Sequence, residues 1–126
     1  MNNKLAIIAV LAFCAVLFSL VACNSLRRSQ DVIEKQLEKI TPLGTQYNMA
    51  VKLLEPHFSE IQQNTNTGFL KQEELTQEVV GVKSIEVPLG SYRNFPFGST
   101  WVRAYWGFDE KGRLLEIWVW KDQDSI

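Results

Sequence analysis

Apolar positions along this chain change their period twice. Residues 5–22 form an uncharged run dominated by Ala, Val, Leu, Ile and Phe. From about Asp31 the apolar residues recur every three to four positions, as on an amphipathic helix. Beyond Phe58 that spacing dissolves, and from Thr100 to Lys121 aromatic and β-branched residues dominate. That composition is the mark of strands.

The helical stretch predicts two helices. The first spans Asp31 to Ile40, with Val32, Ile33, Leu37 and Ile40 on one side and Glu34, Lys35, Glu38 and Lys39 outside. Asp31 with Glu34 makes a capping box. Pro42 disfavours helix at Thr41 and ends the segment. Thr45 is then the expected N-cap of a second helix, Gln46 to about Leu54, with Tyr47, Val51, Leu54 and Phe58 at helical spacing. Pro56 places a stop near Glu55.

The second half predicts strands. Residues 59–63 suit a short strand, and residues 64–68 (Asn-Thr-Asn-Thr-Gly) are turn chemistry. Residues 69–78 are ambiguous, since Lys71, Gln72, Glu73 and Glu74 allow a helical turn. Ser84 to Leu89 alternates and meets Pro88, which suits a strand ending at an edge. Residues 92–99, with Pro96 and Gly98, form the expected loop before the last hairpin. In that hairpin Thr100–Phe108 and Arg113–Lys121 flank Asp109-Glu110-Lys111-Gly112. A four-residue loop pairs Trp106 with Leu115, Ala104 with Ile117 and Val102 with Val119. A three-residue loop with a bulge at Gly112 slips every pair by one. The four-residue loop is preferred because it separates the faces better.

The predicted fold is therefore α+β: two helices packed as one layer on a small antiparallel sheet that ends in a C-terminal β-hairpin. All four tryptophans fall in that hairpin. One face supplies a core. The other carries Trp101, Arg103, Tyr105, Trp118 and Trp120, with Glu116 among them. Trp, Tyr and Arg dominate binding hot spots, so these five residues form a candidate partner face. The competing expectation is that the 58–99 segment folds over the same rings.

The leading run has its own logic. Lys4 supplies a positive start, the apolar run follows, and Leu20-Val21-Ala22-Cys23 closes it. That order is the layout of a secretory signal peptide, and the tetrapeptide resembles the lipobox of bacterial lipoproteins. The resemblance implies cleavage between Ala22 and Cys23 and a covalent lipid on the Cys23 thiol. A lipoprotein cysteine carries two or three acyl chains, enough for stable anchoring where one is marginal. An uncleaved span is the alternative, since Leu5 to Ala22 is 18 residues, at the lower limit for crossing a bilayer. The expected organisation is a signal peptide over 1–22, a lipidated tether over 23–30 and a single domain over 31–126. Asn24 stands where the enterobacterial sorting rule places Asp for inner-membrane retention. The resemblance thus favours the periplasmic side of an outer membrane.

Charge and composition narrow the function. Discarding Lys4 takes the basic residues from 13 to 12 against 14 acidic ones, so no nucleic-acid surface is expected. With Cys14 discarded and Cys23 lipidated, no disulfide can form. A single histidine, His57, has no close cluster of metal ligands, and no nucleophile elbow or phosphate loop is present. No enzyme, cofactor or small-molecule substrate is expected.

The order of tether, two helices and sheet, with Pro42-Leu43-Gly44-Thr45 before the second helix and residues 108–114 (Phe-Asp-Glu-Lys-Gly-Arg-Leu), resembles the small BamE/SmpA-like envelope lipoproteins. The resemblance covers roughly Thr41 to Trp120. It implies paired helices against a three-stranded antiparallel sheet, and no partner-binding residue carries over. The sequence therefore suggests a membrane-anchored envelope lipoprotein with a small non-enzymatic protein-binding domain. The alternative is an envelope inhibitor or immunity-type protein that plugs a hydrolase or toxin with its 90–99 loop, although that loop has no acidic residue.

Replacing Cys23 by Ser removes the thiol that accepts the lipid, so Cys23→Ser should accumulate as precursor. Mass spectrometry of the wild-type membrane protein should find the N-terminal segment missing and Cys23 acylated. An intact Met1 would contradict the lipobox reading.

Overall fold

The computed structural model describes residues 25–124; the leader, Ala22 and Cys23 lie outside them. A 3-10 turn, Ser25–Arg27, leads into helices α1 (Gln30–Ile40) and α2 (Tyr47–Leu54). Six strands follow: β1 (Gln62–Asn64), β2 (Phe69–Glu73), β3 (Thr76–Val80), β4 (Lys83–Arg93), β5 (Ser99–Phe108) and β6 (Leu114–Asp124). They make an antiparallel four-stranded sheet in the order β1-β4-β5-β6 and a separate β2-β3 hairpin. The chain is α+β, as its patterning predicts. The main sheet has one strand more than the family resemblance implies.

The first helix starts earlier than expected, because its cap is Ser29 rather than the Asp31–Glu34 box. The Ser29 hydroxyl accepts the Val32 N–H at 3.4 Å. Glu34 is engaged elsewhere: its Oε1 accepts the Val119 N–H at 3.0 Å. That N–H belongs to the edge strand β6, so the helix covers part of an exposed edge. Burial, the larger influence, lifts the Glu34 carboxyl above its ordinary range, and the Val119 bond opposes it. Ile33 and Leu37 are buried, whereas Val32 is turned outward.

The second helix lacks the expected Thr45 cap. The Thr45 hydroxyl donates back to the Pro42 carbonyl at 2.5 Å, and Gln46 stands at the cap with no side-chain bond. Backbone pairing replaces it. Tyr47 N–H donates to Gly112 O at 2.8 Å, Gly44 N–H to Leu114 O at 2.9 Å and Leu114 N–H to Thr45 O at 2.9 Å. The helix start is therefore tied to the β5–β6 loop. Gly112, at φ +78°, gives that loop the backbone turn that L side chains resist.

The last hairpin keeps its predicted faces with a different register. Five residues, 109–113, separate Phe108 from Leu114, and Trp106 pairs with Ile117, Ala104 with Val119 and Val102 with Lys121. The preferred four-residue loop is thus corrected by two positions, an even shift that keeps residues 116–120 on their predicted faces. The cause is Asp109. Its Oδ1 accepts the backbone N–H groups of Lys111 at 2.9 Å and Arg113 at 2.8 Å, closing a wider loop. These bonds, that of Arg113 first, hold the Asp109 carboxyl below its usual value. A register shift beside Phe108 leaves Leu115 outside, and buried Leu114 takes its place in the core.

The core lies between the helices and the inner sheet face. Ile33, Leu37, Ala50, Val51 and Leu54 share one cluster with Ile85, Val87, Val102, Ala104, Trp106, Phe108, Ile117 and Val119. Leu26 joins it at 5% exposure. Residues 25–30 therefore belong to the domain rather than to a solvated tether. Burying such a leucine contributes about 1.5–3 kcal/mol. The ambiguous 69–78 segment is strand, turn and strand. Strand β4 is internal up to Glu86, but β1 pairs only with Ser84–Glu86. Pro88 thus sits where β4 has a free side, consistent with proline's restriction to edges.

Trp106 is fully buried, and its Nε1 donates to Thr41 Oγ1 at 2.9 Å. Trp106→Ala should lower stability by roughly 3–5 kcal/mol, read from the shift of the denaturant midpoint. An unchanged midpoint would remove Trp106 from the core.

Candidate functional site

Alternation along β5 and β6 turns Trp101, Arg103 and Tyr105 outward beside Trp118 and Trp120. Arg103 pairs with Trp120 and Tyr105 with Trp118. The five predicted face residues thus share one side of the sheet, but they do not share one environment.

Tyr105 and Trp118 are covered. The β2-β3 hairpin folds across them and sets the buried Phe69 against both rings. Phe69 stacks on Trp118 at 5.9 Å and 7°, and lies 5.6 Å from Tyr105. Tyr105 and Trp118 are 5.4 Å apart, and Trp118 and Trp120 are 5.2 Å apart. Trp118 is only 9% exposed. Its expected place on an open partner surface is therefore corrected. The ring gains more from stacking under the hairpin than from facing water.

Two devices let the hairpin sit so close. Gly107, opposite Glu116, has no side chain; a Cβ there would lie 2.8 Å from Val80 Cγ1 and 2.9 Å from both the Phe69 ring and Val80 O. Lys71 on β2 reaches Glu116 on β6 at 2.8 Å and Glu73 at 3.3 Å. The Glu116 contact comes first among the influences that raise the Lys71 pKa, against the opposing effect of burial.

Trp101 and Arg103 remain open. Trp101 is 52% exposed. Arg103 keeps a loose 3.5 Å ion pair with Glu86, leaving much of its guanidinium in solvent. Exposed pairs of this kind contribute about 0–1 kcal/mol, so Arg103 can exchange partners at little loss. Trp120, half-buried, borders a groove of about 480 Å³ between β1, β2 and the sheet. Tyr105, Trp118 and Phe69 line its apolar side, and Gln62, Gln63, Asn64, Gln72 and Glu86 line its polar side. Burial first, then the Glu86 charge, raises the Tyr105 phenol above its ordinary pKa, so it stays neutral. The arrangement offers stacking surfaces beside amide donors and acceptors.

Of the groove walls, the sequence pattern marks Tyr105, Trp118 and Trp120 but not the side opposite them. Phe69 lies in the ambiguous segment, and Gln62, Gln63 and Asn64 read only as a polar strand and turn. His57, which the sequence leaves without a metal-ligand cluster, has a pKa lowered by burial. Among the described residues no three His, Cys, Asp or Glu side chains gather where they could hold a metal ion. Among the same residues no helix is long and apolar enough to cross a membrane.

No family model, no curated protein and no solved structure matches the chain.

Gly107→Ala forces a Cβ into the Phe69 and Val80 contact, so it should lift the hairpin and lower the melting temperature. Acrylamide quenching of tryptophan fluorescence should rise as Trp118 is uncovered. Unchanged quenching and melting would mean that the hairpin does not depend on this close approach.

Proposed function

We propose that this chain is a membrane-anchored lipoprotein of the bacterial envelope, lipidated at Cys23, whose small domain binds an envelope protein. The partner surface is the open patch at Trp101 and Arg103 on the outer face of β5, continued by Trp120 into the groove. Tyr105 and Trp118 support it from beneath. The domain holds and presents this surface and performs no chemistry of its own.

The observation that carries the reading is Trp101. A tryptophan more than half exposed, beside an arginine with a replaceable partner, is the composition of an interface centre. Arg103 can stack on an aromatic ring or pair with a carboxylate of the partner. The lipobox residues Leu20 to Cys23 support the anchor, and Asn24 supports the outer membrane. The α+β order is compatible with the BamE/SmpA-like lipoproteins, from which no binding residue is taken. The inhibitor reading gains no residue, because the 94–98 loop projects apolar rings where a plug for a cationic target needs acids.

Trp101→Ala and Arg103→Glu should each leave the melting temperature within about 2–4 °C of wild type, as surface changes do. Both should abolish co-purification of the partner from solubilised envelopes. If both variants melt far below wild type, the two side chains stabilise the fold and the binding patch is lost.

A further inference from the structure

The loop that joins β4 to β5 presents two phenylalanine rings to solvent. Phe95 is 99% exposed and Phe97 75% exposed. The loop is closed on its own base: Asn94 N–H donates to Gly98 O at 2.9 Å, and the Thr100 hydroxyl donates to Asn94 Oδ1 at 2.7 Å. Gly98, at φ +91°, completes the turn. The rings therefore project from a braced support. Single exposed apolar residues are ordinary, but two large rings on one tip form a patch that wants cover.

We propose that Phe95 and Phe97 seat the domain in the headgroup boundary of the anionic membrane that holds its N-terminus. The proposal rests on the anchored reading above and adds a fixed orientation on the bilayer. What selects a lipid surface is where the chain outside the structure ends. Residues 1–24 precede Ser25, and the Ser25–Arg27 turn packs at the end of the sheet that carries this loop. The Arg27 Nη2 donates to Arg93 O at 3.2 Å, and its guanidinium stands 4.7 Å from the Tyr92 ring centre. Leu26 lies against Gly90. Cys23 is two residues before Ser25, a reach of at most about 7 Å. An anchor at Cys23 thus brings the bilayer to the side of the domain where the two rings project.

Charge favours the same occupant. Arg27, Arg28 and Arg93 are exposed around the base of the loop, and cations there attract anionic headgroups. The Lys121 ammonium, which donates to Arg28 O at 2.5 Å, adds a fourth positive charge. Asp122, opposite Trp101, and Asp124, opposite Ser99, are opposing charges at this end, against four positive ones. Aromatic rings flanked by basic residues are the composition that settles at a membrane interface. Trp101, two residues after Ser99, stands on the adjoining outer face of the sheet.

The test uses the full chain recovered from membranes and placed in vesicles of phosphatidylglycerol and phosphatidylethanolamine. Phe95→Trp puts a reporter on a ring that touches nothing else in the fold. Its added emission should shift to shorter wavelength in vesicles and be quenched by lipids brominated on their acyl chains. Phe97→Asp in the same background should reduce that quenching, and neutral phosphatidylcholine vesicles should weaken it. A reporter that stays water-like and unquenched while the protein floats with the vesicles overturns the proposal and leaves the anchor standing. A blue shift without bromine quenching means protein cover and also overturns it. Failure to float, with Cys23 unmodified by mass spectrometry, sinks the anchor reading and the proposal with it.

Discussion

Everything on the outer face depends on one buried contact between the two layers. Trp106 on β5 is closed off from solvent and donates its indole N–H to Thr41, which itself donates to Leu37 O at 3.3 Å. Thr41 is the residue that terminates α1, so this chain of two hydrogen bonds fixes the helix end against the middle of the sheet. A tryptophan is rarely placed in a core unless its N–H has a partner. Here the partner is a hydroxyl also held by the helix. With Trp106 locked inward, alternation forces Tyr105 outward and fixes the side on which Trp101, Arg103, Trp118 and Trp120 emerge.

The outer face is then divided rather than presented whole. Gly107 and Lys71 allow the β2-β3 hairpin to cover Tyr105 and Trp118, and Phe69 completes the stack. What stays open is the Trp101–Arg103 patch and the groove beside Trp120. This division has a physical advantage. Buried rings hold the strands rigid, so the exposed residues are preorganised and lose less freedom on binding. The free edge of β6 is managed separately, with Glu34 on α1 taking up the Val119 N–H.

Much of this was legible in the sequence because two periods were clear. Ile33 and Leu37, then Tyr47, Val51 and Leu54, lie at helical spacing, and all are buried. The alternation of Val102, Ala104 and Trp106 gave the inner face. The β2-β3 hairpin was not legible, for a specific reason. Glu73 pairs with Thr76, leaving the two-residue turn Glu74-Leu75, and among the described residues no non-glycine has positive φ. The turn therefore lacks the Asn-Gly chemistry by which two-residue hairpins announce themselves. The register of the last hairpin was missed because Asp109 bonds beyond Gly112 to Arg113, which no face pattern reveals. The helix caps were misassigned because both ends are tied to distant segments. Glu34 goes to β6, and the start of α2 goes to the β5–β6 loop.

The central proposal is that the open patch at Trp101 and Arg103, on the outer face of a rigid sheet, carries the binding. Site-specific photo-crosslinking in intact cells tests it most directly, with the reactive side chain placed at Trp101 and, for comparison, at the exposed Lys111 at the opposite end of the strands. The account predicts a discrete crosslinked protein from position 101 and none from position 111. A crosslink from position 111 with none from position 101 would contradict it.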